Sequence, residues 1–153
     1  MEAMTEPGPP AANLAGRPEP LASRLRTTLL RTSRRLRDQR VGDLSDAQMS
    51  VLGQLVAHGP LTPRELAERE HVRPPSMTKT IQHLLEAGLI ERNSHPDDRR
   101  QVLIAASPQG REHILATRRR RDEWLKRRLA ALTREERATL SAAEEILRRI
   151  YSQ

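Results

Sequence analysis

Apolar residues along most of this chain recur three and four positions apart, and alternate or run together only between about 89 and 105. That pattern predicts helices throughout, interrupted by one short pair of strands. From Leu21 to about Arg40, Leu21, Leu25, Leu29 and Leu36 share a side with Thr28 and Thr32, and arginines fill the other faces of this amphipathic helix. "LSDAQMSVLGQLVAHGP" begins a second helix. Ser45 stands three residues before Gln48, so each side chain can accept the other's backbone N–H. Met49, Leu52, Leu55 and Val56 supply its apolar stripe, and Gly59-Pro60 ends it. A third, short helix opens with Thr62, Pro63 and Glu65, and turns Leu66 and Ala67 inward. A fourth follows in "VRPPSMTKTIQHLLEAGLI". There Met77, Ile81, Leu84 and Leu85 form one stripe, Gly88 is placed to end the helix, and Pro74 and Pro75 fit only its first turn.

Two strands are predicted at about 89 to 93 and 101 to 105, joined by a loop with Asp97, Asp98, Arg99 and Arg100 in a row. "SPQGRE" caps a long helix from about 108 to 131, and "TREE" caps a last one running to about Arg149. Three consecutive short helices followed by a hairpin make a winged helix-turn-helix. The expected fold is therefore mainly α with a small β-hairpin. The winged helix-turn-helix occupies about 45–107, flanked by N- and C-terminal dimerisation helices at about 21–40 and 108–150, within one domain spanning 21–153. Residues 1–20, with Pro7, Pro9, Pro10, Pro18 and Pro20, read as a disordered N-terminal tail.

Charge sharpens this picture. The chain has 27 Lys plus Arg against 20 Asp plus Glu, a net +7. The proline-rich segment carries one Arg and three Glu, so the remaining 133 residues hold +9. Such a surplus favours a polyanionic partner: nucleic acid or an anionic surface. With no Phe, one Trp and one Tyr, stacking of single-stranded bases is disfavoured. The absence of Cys removes thiolate catalysis, thiol redox sensing and Cys-based zinc sites, and fits a cytoplasmic protein. No apolar run is long enough for a membrane span and the N-terminus has no apolar signal core, so neither a membrane partner nor an export signal is expected.

On a wheel of 100° per residue, the side of the fourth helix opposite Met77 holds Pro75, Ser76, Lys79, Gln82, His83 and Glu86, with Thr78 on its flank and Arg73 just before it. Hydroxyls, an amide, an imidazole and an ammonium on one face can match base edges and phosphates in a major groove, although an ordinary solvated face has a similar composition. The tight turn "REHVRPPS" after a short capped helix favours the groove. At the hairpin tip an Arg can enter the minor groove, and Asp98 can hold an Arg in one rotamer by a bidentate pair. Segment 89–107 balances three Arg with three acids. One positioned Arg therefore fits this wing better than a broad phosphate clamp.

The run "HLLEAGLIERNSHPDDRRQVLIAASPQGRE" resembles the wing of the MarR family of bacterial transcriptional regulators. The matching positions are Leu84/Leu85, Gly88-Leu89-Ile90, Arg92, Asp98-Arg99-Arg100, Val102-Leu103-Ile104 and Gly110, and helix order agrees from about Leu21 onward. The resemblance implies a homodimeric winged-helix regulator of double-stranded DNA. By position it implies that Arg100 enters the minor groove, that Asp98 orients it, and that Ser76, Thr78, Lys79 and His83 meet the major groove. The first, fifth and sixth helices resemble the family's dimer interface. Ala106-Ser107 stands where Leu-Thr is common, and His83 where a longer basic residue is common, which leaves the base preference open.

The full candidate set for DNA is Arg73, Ser76, Thr78, Lys79, Gln82, His83, Asp98, Arg99 and Arg100. The basic run "RRRRDEWLKRR" at 118–128 reads first as the solvated side of a dimerisation helix with Leu125 and Leu129 buried, and otherwise as extra phosphate contacts or an anionic-ligand site. Trp124 reads as core or interface. The five His form no pair at helical spacing, so no metal site is expected, and His113 is the one nearest a candidate effector cavity. No Gly-rich phosphate loop, activated nucleophile or carboxylate pair points to an enzyme, and no cofactor is implied. The expected function is a sequence-specific regulator, a repressor responsive to a small molecule of unnamed chemistry, acting as a homodimer on a pseudo-palindromic operator. The alternative is a non-specific or architectural DNA-binding protein. A membrane-surface or acidic-protein binder using 118–128 ranks behind it.

Overall fold

The computed structural model describes residues 19–94, 98 and 100–152. Its elements run α1 (Leu21–Arg37), α2 (Asp46–His58), α3 (Pro63–Arg69), α4 (Pro74–Glu86), β1 (Ile90–Ser94), β2 (Val102–Ala106), α5 (Pro108–Ala130) and α6 (Arg134–Tyr151). The chain divides into two units between Ser33 and Arg34. In the first, α1 leaves Leu21, Leu25, Leu29 and Leu30 exposed. The second holds the core.

The helix starts follow from their caps. Ser45 accepts the Gln48 N–H while the Gln48 side chain accepts the Ser45 N–H at 2.8 Å, and Thr62 with Glu65 and Thr133 with Glu136 repeat the exchange. Helix α4 differs: Arg73 makes no side-chain cap, and Pro74 and Pro75 bring no N–H groups that need one. Its end is a Schellman closure, with Gly88 at φ 68° donating to Leu85 O at 2.9 Å and Leu89 N donating to Leu84 O at 3.0 Å. Helix α3 ends the same way, with Val72 N on Ala67 O at 3.0 Å and His71 N on Glu68 O at 3.2 Å. His71 occupies the left-handed position at φ 52°, where glycine is usual, because the turn into α4 demands it.

Met49, Leu52 and Leu55 from α2, Leu66 from α3, Met77, Ile81 and Leu84 from α4, and Ile114 from α5 meet in one core with Leu89, Ile90 and Ile104. The stripes expected for α2, α3 and α4 are mostly the buried ones, with Val51 added and Val56 and Leu85 only partly covered. The hairpin is antiparallel, with Ile90 opposite Ala106 and Ser94 opposite Val102. Both strands begin one residue later than expected, because Leu89 belongs to the α4 closure. Leu61 forms a further bridge to β2, donating to Ile104 O at 3.0 Å and accepting from Ile104 N at 2.8 Å. The loop between α2 and α3 is thereby sewn to the wing.

One close approach orders these parts. Ser107, 5% exposed, donates its hydroxyl to Gly88 O at 2.7 Å, and its Oγ accepts the Gly110 N–H at 3.0 Å. The Ser107 N–H donates to Leu89 O at 3.0 Å. A Cβ on Gly110 would overlap that same Leu89 oxygen and lie 3.0 Å from Leu52 Cδ1. Gly110→Ala should therefore cost about 3 kcal/mol in chemical denaturation, the upper range for overpacking. Gly53→Ala, in mid-α2 with nothing within 4 Å of the added carbon, should instead gain about 0.5–1 kcal/mol.

Candidate nucleic-acid interface

Helix α4 turns Met77, Ile81 and Leu84 into the core, which sends Ser76, Lys79, Gln82, His83 and Glu86 to solvent on the other side. Arg73 and Thr78 are also exposed. Among the described residues, Arg73, Lys79 and His83 make no side-chain hydrogen bond or ion pair. Their charge or hydrogen-bonding capacity is open to an incoming anion. The hydroxyls are ordered differently. Thr78 donates to Pro74 O at 3.0 Å and Thr80 to Ser76 O at 3.2 Å, so both present lone pairs and a methyl outward rather than a free O–H. Gln82 Nε2 donates to Glu86 Oε1 at 2.9 Å.

The wing tip is built on Asp98. Its Oδ1 accepts the Arg100 backbone N–H at 3.0 Å, its Oδ2 accepts the Gln101 side-chain amide at 3.2 Å, and its carbonyl accepts the Gln101 N–H at 2.9 Å. The carboxylate thus shapes the turn and does not clasp the Arg100 guanidinium. The physical reason is reach: an Asp side chain meets the backbone two residues on without fixing a long side chain. Arg100 is exposed, and its guanidinium has no partner among the described residues. Arg99 lies outside the described residues, as do His95 and Asp97.

Arg64 on α3 stands beside this surface but is engaged. Its Nε donates to Glu68 at 2.9 Å, and that hydrogen bond, with the carboxylate's attraction, raises its pKa further. An open cleft of about 680 Å³ lies along α3 and the start of α4, lined by Pro63, Ala67, His71, Val72 and Thr78 among others.

Much of the basic run is also committed. Arg119 pairs with Glu112, and Arg121 Nε donates to Leu36 O at 3.1 Å. Arg128 donates to Trp124 O at 3.1 Å and lies 3.7 Å from the centroid of the Trp124 ring. Leu125 is 37% exposed, against the expectation of burial. This part of α5 runs past the core, so nothing within the second unit encloses it. His113 rests beside Gly42, its Cε1 3.3 Å from where a Cβ there would lie, with Nε2 buried and unbonded. Among the described residues no group of three or more His, Asp or Glu is arranged to hold a metal. None of their helices is long and apolar enough to cross a membrane.

Residues 44–102 match the model of the MarR family. An HTH-type transcriptional regulator of Mycobacterium tuberculosis is 45% identical over 128 residues, covering 83% of this chain and 90% of that protein. The HTH-type transcriptional repressor MdtR of Bacillus subtilis is 34% identical over 96 residues, 61% of this chain and 60% of its own length. The crystal structure of a putative transcriptional regulator from Pseudomonas aeruginosa superposes with a TM-score of 0.78 at 34% identity, covering 87% of this chain and 94% of that one.

The wing geometry carries its own test. Asp98→Ala should speed amide exchange at Arg100 and Gln101. Asp98→Asn, whose carbonyl can still accept the Arg100 N–H, should retain most of the protection. Equal exchange in both variants and the wild type would show that the turn does not depend on this side chain.

Proposed function

The chain belongs to the MarR family of DNA-binding transcriptional regulators, and from that premise we propose that it is a sequence-specific repressor acting as a cytoplasmic homodimer on a pseudo-palindromic operator. The observation that carries the reading is α4. Its buried face is pinned in the core while Arg73, Ser76, Thr78, Lys79, Gln82 and His83 are presented together, beside a wing whose Arg100 guanidinium has no partner among the described residues. Lys79, Arg73 and His83 meet phosphates and acceptor edges, Gln82 and Thr78 read bases, and Arg100 enters the minor groove, with Arg99 its neighbour in sequence. The repressor sense is supported by the similarity to MdtR, which is named a repressor.

Dimerisation is supported by apolar surface. Helix α6 buries no residue and exposes Leu140, Ile146, Ile150 and Tyr151, and α1 exposes Leu21, Leu25, Leu29 and Leu30. Such surface marks an interface. Two copies then hold two recognition helices for half-sites about 10–10.5 base pairs apart. A small-molecule effector acts by favouring a dimer whose helices are mis-spaced for DNA.

Fluorescence anisotropy with the DNA upstream of the coding region and a scrambled duplex, at two salt concentrations, tests the reading. Arg100→Ala should weaken binding to the native duplex by about 1–3 kcal/mol, and Asp98→Ala by less. Equal, steeply salt-dependent binding to both duplexes, unchanged by Arg100→Ala, would favour the non-specific alternative. The paired change Leu140→Glu and Ile150→Glu should convert a dimer to a monomer in analytical ultracentrifugation and lower operator affinity by at least about tenfold, because two half-sites are no longer linked. An unchanged sedimentation coefficient would remove α6 from the interface.

A further inference from the structure

An acid on a face that meets phosphates calls for a reason. Glu86 lies on the same exposed side of α4 as Lys79, Gln82 and His83, and its carboxylate repels DNA of any sequence. Yet it is bonded to a neighbour that can read bases: Gln82 Nε2 donates to Glu86 Oε1 at 2.9 Å. That bond uses one of the two amide hydrogens. It fixes which side of the Gln82 amide is nitrogen and which is oxygen, an orientation that a free glutamine exchanges by rotating about its last torsion.

We propose that Glu86 is a specificity-determining positioning residue, and that by locking the Gln82 amide it makes this helix choose adenine over guanine at one position of each half-site. The inference rests on the regulator reading above. Adenine presents an acceptor at N7 and a donor at N6 in the major groove, whereas guanine presents acceptors at both N7 and O6. The locked amide retains one N–H and one carbonyl oxygen in a set order. Against adenine both pair. Against guanine the carbonyl faces O6, acceptor against acceptor. An amide free to turn can aim its NH2 between N7 and O6, donating one hydrogen to each, and so tolerates guanine. The remaining carboxylate oxygen keeps Glu86 an acceptor only, so it cannot reverse the lock.

The test is selection from randomised duplexes with the full chain, comparing wild type, Gln82→Ala, Glu86→Ala and Glu86→Gln. Glu86 is exposed at the last residue of α4, so all three variants should fold. The wild type should enrich adenine over guanine by on the order of tenfold at one position per half-site, a preference that Gln82→Ala abolishes. Glu86→Ala should lower the ratio to about twofold by admitting guanine, since the amide is then free to turn. Glu86→Gln should keep the adenine preference, because its carbonyl still accepts the Gln82 N–H although the charge is gone. If Glu86→Ala and Glu86→Gln instead gain affinity equally for all duplexes and leave the ratio unchanged, Glu86 is only a repelling charge and the inference is wrong. A selected motif that does not depend on Gln82 also overturns it while leaving the regulator reading intact. Enrichment of no motif by the wild type would overturn both.

Discussion

The carbonyl oxygen of Leu89 and the bare α-carbon of Gly110 approach more closely than any side-chain-bearing residue would permit, and the placement of α4, the hairpin and α5 depends on that approach. Leu89 follows the α4 closure and precedes β1. Ser107 follows β2 and caps α5. The Ser107 hydroxyl, donating to Gly88 and accepting from Gly110, joins the end of α4, the root of the hairpin and the start of α5. Ser107 and Gly110 are buried, so breaking the bond between them would leave an unsatisfied buried group at about 1–3 kcal/mol. The consequence is mechanical. Helix α4 and the wing share a base with α5 through these bonds and the Leu89–Gly110 approach.

Signals that act over three or four residues were readable in the sequence. The three reciprocal caps, the Gly88 closure and the buried stripes of α2, α3 and α4 all follow from contacts within one or two turns. What could not be read depends on partners distant in sequence. Leu61 pairs with Ile104, 43 positions further along the chain, a contact that no local periodicity records. The one-residue shift in the strands arises because Leu89 closes α4 before the ladder begins. His71 was hidden for another reason: the left-handed position carries a side chain with no glycine to announce it. Leu125 looked like core because its spacing from Leu129 is helical, but spacing cannot tell whether a neighbour exists at that height along the helix.

Net charge, too, was a blunt guide. The arginine-rich stretch of α5 holds seven Lys and Arg against two acids, yet Arg119, Arg121 and Arg128 are engaged by a carboxylate, a carbonyl and an indole of the same chain. On α4 the count of charges is small, but Arg73, Lys79 and His83 stand without partners among the described residues. Binding follows from unpaired charge in the right place, since an arginine already paired must give up one contact to make another. The surplus still contributes a long-range field that speeds encounter with DNA, an effect that salt screens within about 8–10 Å.

On the interface itself the polar groups are held before any partner arrives. Thr78 and Thr80 are turned back onto their own helix, Gln82 is tied to Glu86, and the Asp98 carboxylate holds the turn beneath Arg100. Immobilising one rotamer-rich side chain on binding costs about 0.5–1.5 kcal/mol, and a surface ordered in advance avoids part of that. On the proposed reading it also rejects wrong sequences, because groups that cannot turn cannot adapt to a mismatched base. Arg100 is the exception, with its backbone N–H held by Asp98 and its guanidinium without a partner among the described residues. That division suits the two grooves. The major groove presents a distinct pattern at each base pair and rewards rigid readers, whereas the minor groove presents mainly width and negative potential, which a mobile cation can follow.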